Sequence, residues 1–345
     1  MISSPAPDAS RSALADWLEL TALLRSRVAG SGDLESLLRL NSDNDRELVA
    51  TGEEPIEEEI AETKRDALLA RVSEEISFRE RSLGSDYPFE VSGDPLRIAV
   101  RPTLNTTSHP AYVFMLMMTG LKDKLFPTSP AIVSRTGRGR TLFHLCASIG
   151  VAGVLKDGHT YWFGFPRPDK SIFANALQDL CTRLGFGRAK NPPPPGLPTA
   201  AKDDQIDVVG WRAFRDKRNG TLLIICQAAT GNDWDTKSVK PHLGAFTDWF
   251  DQSPYREAMP SLAVPFPVHH EVDDRDGEDY EEAVFNALQR LNHRHGVVLD
   301  RLRITESVFP VTADDQAEER IGGYTGINVL VDWIDQLKPE LAAAA

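Results

Sequence analysis

The chain has 345 residues, of which 41% are hydrophobic and 26% are charged, and this globular composition excludes an intrinsically disordered protein. Its length suffices for two domains of ordinary size, each with its own core. Its formal net charge of -13 argues against a protein that grips long duplex DNA through a broad basic face.

The cysteines indicate a reducing compartment. Cys146, Cys181 and Cys226 are far apart, and each lies in an apolar stretch without the spacing of a zinc site. The opening residues, MISSPAPDASRS, lack the apolar segment of a secretory signal. We therefore expect reduced cysteines in the core of a cytoplasmic protein.

The first half of the chain is predicted to be mainly helical. Apolar residues at helical spacing predict a helix over residues 13–41 and a long charged helix over residues 53–83. Four shorter segments follow, two predicted strands and then two predicted buried helices: YPFEV (87–91), LRIAV (96–100), AYVFMLMMTG (111–120) and TLFHLCASIGVAGVL (141–155).

A glycine-rich basic segment, SRTGRGR, separates the two buried helices at residues 134–140. Its arginines are Arg135, Arg138 and Arg140. Arginines among glycines suit a loop that clamps phosphate groups, and the alternative is a mobile, solvated loop without a ligand.

The second half alternates between helices and strands. The predicted order is helix 171–187, strands 205–211 and 221–228, helix 241–250, strand 261–268, helix 281–292, strand 297–304 and helix 327–337. This order predicts an α/β domain with a central mixed sheet. We expect a mainly helical N-terminal domain over 1–165, suited to partner docking, and the α/β domain over 166–345. The proline-rich segment NPPPPGLP (191–198) is expected to be a loop inside the second domain.

One acid and one amide are candidates for a metal site in that domain. Asp207 begins one predicted strand, and Gln227 ends the next. If the strands form a hairpin, both side chains reach one end of the sheet, where the carbonyl of Ala228 adds a third oxygen. Mg²⁺ prefers such oxygen ligands and activates water for phosphodiester hydrolysis. The alternatives are a solvated strand-edge acid and an ordinary polar strand end.

The order of these residues resembles the restriction-endonuclease-like superfamily, PD-(D/E)xK, and within it the Mrr-like branch. The resemblance covers roughly residues 170–310. Three segments carry it: Leu184-Gly185-Phe186 at a helix end, the stretch DDQIDVV at residues 203–209, and the strand LIICQ at residues 223–227.

The resemblance implies a deoxyribonuclease of prokaryotic restriction or anti-phage defence that uses Mg²⁺ or Mn²⁺ to cut DNA. Asp207, Gln227 and the Ala228 carbonyl then become the metal ligands. An acid on the first nuclease helix is also implied, and Gln178 and Asp179 are the only nearby candidates.

This chain departs from the superfamily pattern at the catalytic lysine. The lysine belongs two positions beyond Gln227, on the same face of the strand, where this chain has Ala229. Lys237 or Lys240 is predicted to reach back as a replacement catalytic residue. Alternatively, catalysis is lost, and an inert nuclease-like module binds nucleic acid or a partner protein in a larger complex. A third interpretation is an unrelated α/β interaction protein.

Few cations are available for nucleic-acid contacts. The predicted contacts are Arg135, Arg138, Arg140, Arg188 and Lys190. Because each phosphate contact adds to affinity and the chain is acidic, we expect weak binding to duplex DNA by this chain alone. A protein partner, such as a helicase or another subunit of a defence complex, is expected to supply most of the affinity.

Overall fold

The computed structural model places most of the chain. It describes residues 2–3, 5, 9–37, 54–93, 95–126, 129–156, 158–192, 202–216, 218, 221–268, 280–313 and 315–343. The predicted proline-rich loop lies mostly outside these described residues.

The first half contains five helices within its described residues and a small antiparallel sheet. The helices are α1 (Arg11–Arg25), α2 (residues 31–37), α3 (Glu54–Leu83), α4 (Ser108–Lys122) and α5 (Pro130–Val154). The strands are β1 (Ala29–Gly30), β2 (Phe89–Ser92) and β3 (Arg97–Val100), in the order β1-β3-β2. The single helix expected over 13–41 is wrong, because Ser26 takes the left-handed conformation and ends α1.

The second half supplies most of a five-stranded mixed sheet. Its strands are β4 (His159–Trp162), β6 (Val208–Arg212), β7 (Leu222–Ala228), β9 (Met259–Ala263) and β10 (Val297–Leu299). The strand order is β10-β9-β7-β6-β4; β4, β6 and β7 pair antiparallel, whereas β7, β9 and β10 pair parallel. The predicted mixed α/β class is therefore confirmed.

Helices surround this sheet. They are α6 (Phe173–Leu184), α7 (His242–Phe246), α8 (Tyr280–His295), α9 (Arg301–Thr312), α10 (Ala317–Arg320) and α11 (Asn328–Ala343). A separate two-stranded sheet joins β5 (Arg188–Ala189) to β8 (Phe250–Gln252). The helix predicted over 241–250 is shorter than expected, since a single turn of 3₁₀ helix and then β8 follow α7.

The strand predicted over 297–304 is also wrong in its second half. It ends at Leu299 because Asp300 caps the next helix: its carboxylate accepts a hydrogen bond of 3.0 Å from the backbone N–H of Arg303. The residues after Asp300 therefore begin helix α9 and do not continue the predicted strand.

Two apolar layers cover the sheet. On one face, α5 and α9 pack against a core that includes Val151, Val208 and Cys226. On the other face, α6 contributes Leu177 to a core with Val209. The expected domain boundary at residue 165 follows β4, which pairs with β6, so the sheet and the first core both cross it. Across the described ranges, no helix combines the length and the apolar character needed to span a membrane.

Candidate functional site

Asp207 lies immediately before β6, where the side-chain alternation of the strand is interrupted. Ile206 belongs to the core on the α6 side, whereas Val208 belongs to the core on the α5 side. The backbone carbonyl of Asp207 accepts two hydrogen bonds, from the N–H of Phe163 at 2.9 Å and from the N–H of Gly164 at 2.8 Å. This local irregularity, similar to a β-bulge, directs the Asp207 carboxylate toward α5.

The carboxylate of Asp207 meets His144 of α5. The distance from Nε2 of His144 to Oδ1 of Asp207 is 3.1 Å, and Nδ1 of the ring lies 3.0 Å from the carbonyl of Thr141. A carbonyl only accepts, so Nδ1 carries a hydrogen, and Nε2 donates to the Asp207 carboxylate when the ring carries a second one. In that form His144 is an imidazolium that pairs with Asp207, and its ring stacks on the Trp162 ring at 5.3 Å.

Electrostatics agree with this assignment. Burial opposes the charged ring, but the hydrogen bond and the negative charge of Asp207 outweigh burial and raise the pKa of His144 above its ordinary value. Both side chains retain a little contact with solvent, 13% of the His144 side chain and 14% of that of Asp207. The pair is thus a partly accessible ion pair at the beginning of β6, an inner strand of the sheet.

The second oxygen of Asp207 is also bonded. Oδ2 accepts a hydrogen bond of 2.8 Å from the backbone N–H of Ala228. Gly164 lies over the pair, where an added Cβ would stand 2.5 Å from Oδ1 of Asp207 and 2.9 Å from Nε2 of His144. The ion pair is therefore closely packed, and only glycine fits above it.

Gln227 lies on the neighbouring strand, but its side chain is on the other face. Cys226 and Ala228, on either side of it, both pack on the α5 side, and strand alternation places Gln227 opposite. Its Nε2 donates to Oε1 of Gln205 at 3.3 Å, and its buried Oε1 has no hydrogen-bond partner among the described residues. The backbone segments that carry Asp207 and Gln227 are therefore adjacent, but the two side chains do not converge.

The two predicted replacement lysines are engaged elsewhere. Lys237 pairs with Asp233, with 3.1 Å from its Nζ to Oδ2, and the Nζ of Lys240 donates to the carbonyl of His293 at 2.5 Å. Ala229 is buried in an apolar cluster with Trp234. None of these contacts brings an ammonium group to Asp207.

The predicted arginine loop is wrong, because residues 134–140 lie within helix α5. Ser129 caps this helix, its hydroxyl accepting from the N–H of Ile132 at 3.2 Å, and Pro130 occupies the first turn. Gly139 is required for close packing, since an added Cβ would stand 2.4 Å from Sδ of Met118. Here glycine indicates a tight helix contact, not a loop.

The five predicted nucleic-acid residues divide into two groups. Three are held by other protein groups: Arg135 by Glu340 and Gln336, Arg188 by Asp251, and Lys190 by the carbonyl of Asp248. Arg138 and Arg140 are exposed and have no partner within the described part of the chain. Arg140 precedes His144 by one helical turn, so both lie on the same side of α5.

The helix that faces Asp207 is not the predicted one. Gln178 and Asp179 lie on α6, which packs on the other face of the sheet, and Asp179 pairs with Arg183 at 2.9 Å. The contact comes from His144 of α5. A sequence signal for it exists, because His144 is the single basic residue in the mostly apolar run TLFHLCASIG.

The predicted metal ligands do not fit a Mg²⁺ site. Both oxygens of Asp207 are bonded to protein groups, and Gln227 projects from the other face. In the ranges that the structure describes, no group of three or more histidine, cysteine, aspartate or glutamate side chains is arranged to hold a metal ion.

Comparison with known proteins finds no matching family model, no matching curated protein and no matching solved structure. The assignment of function therefore depends on the residues of the site.

Proposed function

We propose that this chain is a catalytically inert, nuclease-like module that binds nucleic acid without cutting it. The observation that carries the proposal is the ion pair between His144 and Asp207. The imidazolium supplies, at the acid, the positive charge that a metal ion supplies in a metal-dependent nuclease. The resemblance to the PD-(D/E)xK superfamily supports the nuclease-like character, as does the position of Asp207 and Gln227 on neighbouring strands.

Charge at the site favours binding of a phosphodiester. An unpaired carboxylate at Asp207 would repel a phosphate, and His144 neutralises it. The exposed guanidinium groups of Arg138 and Arg140 then add net positive charge on the same helix. Arginine binds phosphate through paired N–H groups, so this end of α5 suits the backbone of a nucleic acid.

The site around Asp207 lacks the groups that phosphodiester hydrolysis usually requires. Cutting requires an activated water and stabilisation of the charge on the phosphoryl oxygens. Each carboxylate oxygen of Asp207 already accepts one hydrogen bond from the protein, and Lys237 and Lys240 are paired with other groups. A bound phosphodiester would therefore remain intact.

A metal-dependent deoxyribonuclease of restriction or anti-phage defence is the second candidate. One observation favours it: the buried Oε1 of Gln227 has no donor among the described residues, and a cation would satisfy it. An ion of Mg²⁺ or Mn²⁺ shared with Asp207 would then require Gln227 to leave its face of the sheet and His144 to leave Asp207.

One experiment separates the two functions. The full chain is titrated against fluorescent duplex and single-stranded oligonucleotides at low salt, in EDTA and in Mg²⁺ or Mn²⁺, and incubated with supercoiled plasmid. We expect similar micromolar binding in all buffers, weaker binding by R138A/R140A, and an intact plasmid. R25A/R290A, which removes two exposed arginines elsewhere, is the matched control.

Two results would overturn the proposal. Absence of binding at low salt would remove the nucleic-acid function. Metal-dependent nicking that is lost in Asp207→Ala would establish the nuclease instead.

A further inference from the structure

The connection between β6 and β7 presents an aromatic ring to solvent. Arg212 ends β6 opposite Leu222 of β7, and the described residues of the connection between them, 213–216, 218 and 221, are called the projection. The side chain of Phe214 in this projection is 55% exposed, and Leu222 at its base is 50% exposed. The exposed Phe214 ring offers an apolar face that a partner molecule can cover.

Three arginines accompany the ring. Arg212, Arg215 and Arg218 are all exposed. Arg218 has one acidic neighbour, with 3.8 Å between its Nε and Oδ2 of Asp216. Its side chain is nevertheless 85% exposed. Arg212 and Arg215 have no carboxylate partner among the described residues. In a chain of net charge -13, this is a local concentration of positive charge.

The projection lies at the opposite end of β6 from the ion pair. Seven residues separate Asp207 from Phe214, which corresponds to about 20 Å along an extended strand. The projection is therefore a second surface, separate from Arg138, Arg140 and His144.

We infer that the β6–β7 hairpin binds an unpaired stretch of nucleic acid. The Phe214 ring stacks on one base, and the three arginines pair with the flanking phosphates. One aromatic ring flanked by basic side chains suits this ligand, because every base offers a π-face and every linkage offers a negative charge. The bases must be unpaired, since both faces of a base inside a duplex are covered by its neighbours.

This inference rests on the proposed nucleic-acid binding for its class of ligand, although it uses different residues. Charge complementarity selects nucleic acid as the occupant, because three exposed arginines, two of them without a carboxylate partner among the described residues, match a polyanion. A protein surface is the competing occupant, and the experiment below distinguishes it from nucleic acid.

The test uses the full chain with a single-stranded oligonucleotide that contains 2-aminopurine, and with the matching duplex. We expect Phe214→Ala to bind the single strand roughly tenfold more weakly and to lose the fluorescence change of the stacked base. Phe214→Trp is expected to preserve both. Because Phe214 is exposed, circular dichroism should show an unchanged fold in each variant.

The arginines are tested by salt dependence. Loss of two phosphate contacts in R215A/R218A should reduce the slope of log affinity against log salt for a single strand by about 1.4. R25A/R290A removes the same charge from other surfaces and should leave the slope nearly unchanged.

Failures of the two proposals are distinguishable. Absence of all binding overturns both. Retained binding with unchanged affinity in Phe214→Ala and in R215A/R218A overturns the hairpin inference alone and assigns the projection to a protein contact. Weakening of duplex and single strand alike by Phe214→Ala also contradicts stacking on an unpaired base.

Discussion

Asp16 and Arg301 are 285 positions apart and form a doubly hydrogen-bonded ion pair. The guanidinium donates to Oδ1 at 2.8 Å and to Oδ2 at 2.7 Å, and both side chains are buried. Arg79 of α3 donates to the same carboxylate at 2.6 Å. The pair therefore ties α1 and α3 of the helical half to α9, which packs on the sheet.

The pKa values of two buried acids in this network are shifted in opposite directions. Burial opposes ionisation of Asp16, but Arg301 and Arg79 outweigh burial and lower its pKa. Burial and the nearby charge of Asp16 raise the pKa of Glu19, which accepts hydrogen bonds from Tyr87 and Tyr112. Asp16 is therefore the stronger acid of the two.

Asp16→Asn should destabilise the protein by about 3–5 kcal/mol, because it leaves Arg301 and Arg79 buried with an incomplete counter-charge. The pKa of Asp16 is lowered on folding, so its contribution is present above its unfolded pKa and is lost as pH falls through its folded pKa. Urea unfolding at neutral pH measures the loss. Asp335→Asn, at an exposed position of α11, should change stability by less than about 0.5 kcal/mol.

Two glycines should respond to alanine with opposite signs. In Gly164→Ala, the new methyl group collides with Asp207 and His144, so we expect a loss of about 1–3 kcal/mol and a changed His144 environment. In Gly137→Ala, the exposed helical position has open space, so we expect a gain of about 0.5–1 kcal/mol. Thermal unfolding compares both with wild type. Equal changes in stability in the two variants would contradict the packing of Gly164 over the ion pair.

The His144 pair should stabilise the protein more at acidic than at alkaline pH. Its pKa is raised on folding, so its contribution is complete below the unfolded pKa of about 6.5 and is lost as pH rises through the folded pKa. The stability difference between wild type and His144→Gln should shrink across that range. NMR titration of the ring checks the cause, because Asp207→Asn should lower the pKa of His144.

Asp207→Ala should cost about 1.5–3 kcal/mol in stability, since the carboxylate bonds both an imidazolium and the N–H of Ala228. A solvated strand-edge acid would contribute little to stability, whereas these two part-buried contacts make the carboxylate a structural group. Denaturant unfolding provides the measurement. Asp216→Ala, in the exposed hairpin, is a matched control that should lose far less.

Local features of the second half could be predicted from the sequence because short-range chemistry determines them. Helix α6 ends at Leu184 because Gly185 takes the left-handed conformation, with φ of 76°. The apolar runs of β6 and β7 predict buried strands, and the short connection between them predicts their antiparallel pairing. Neither feature depends on a distant residue.

The site itself was decided by tertiary structure. His144, at the start of the apolar second half of α5, gives no sign of its partner, because Asp207 is 63 positions away and meets it only when α5 packs on the sheet. The interrupted alternation at Asp207 likewise sends its carboxylate to the α5 face and leaves Gln227 on the other. Sequence periodicity specifies which residues are buried, whereas the contact between two elements depends on how both faces pack together.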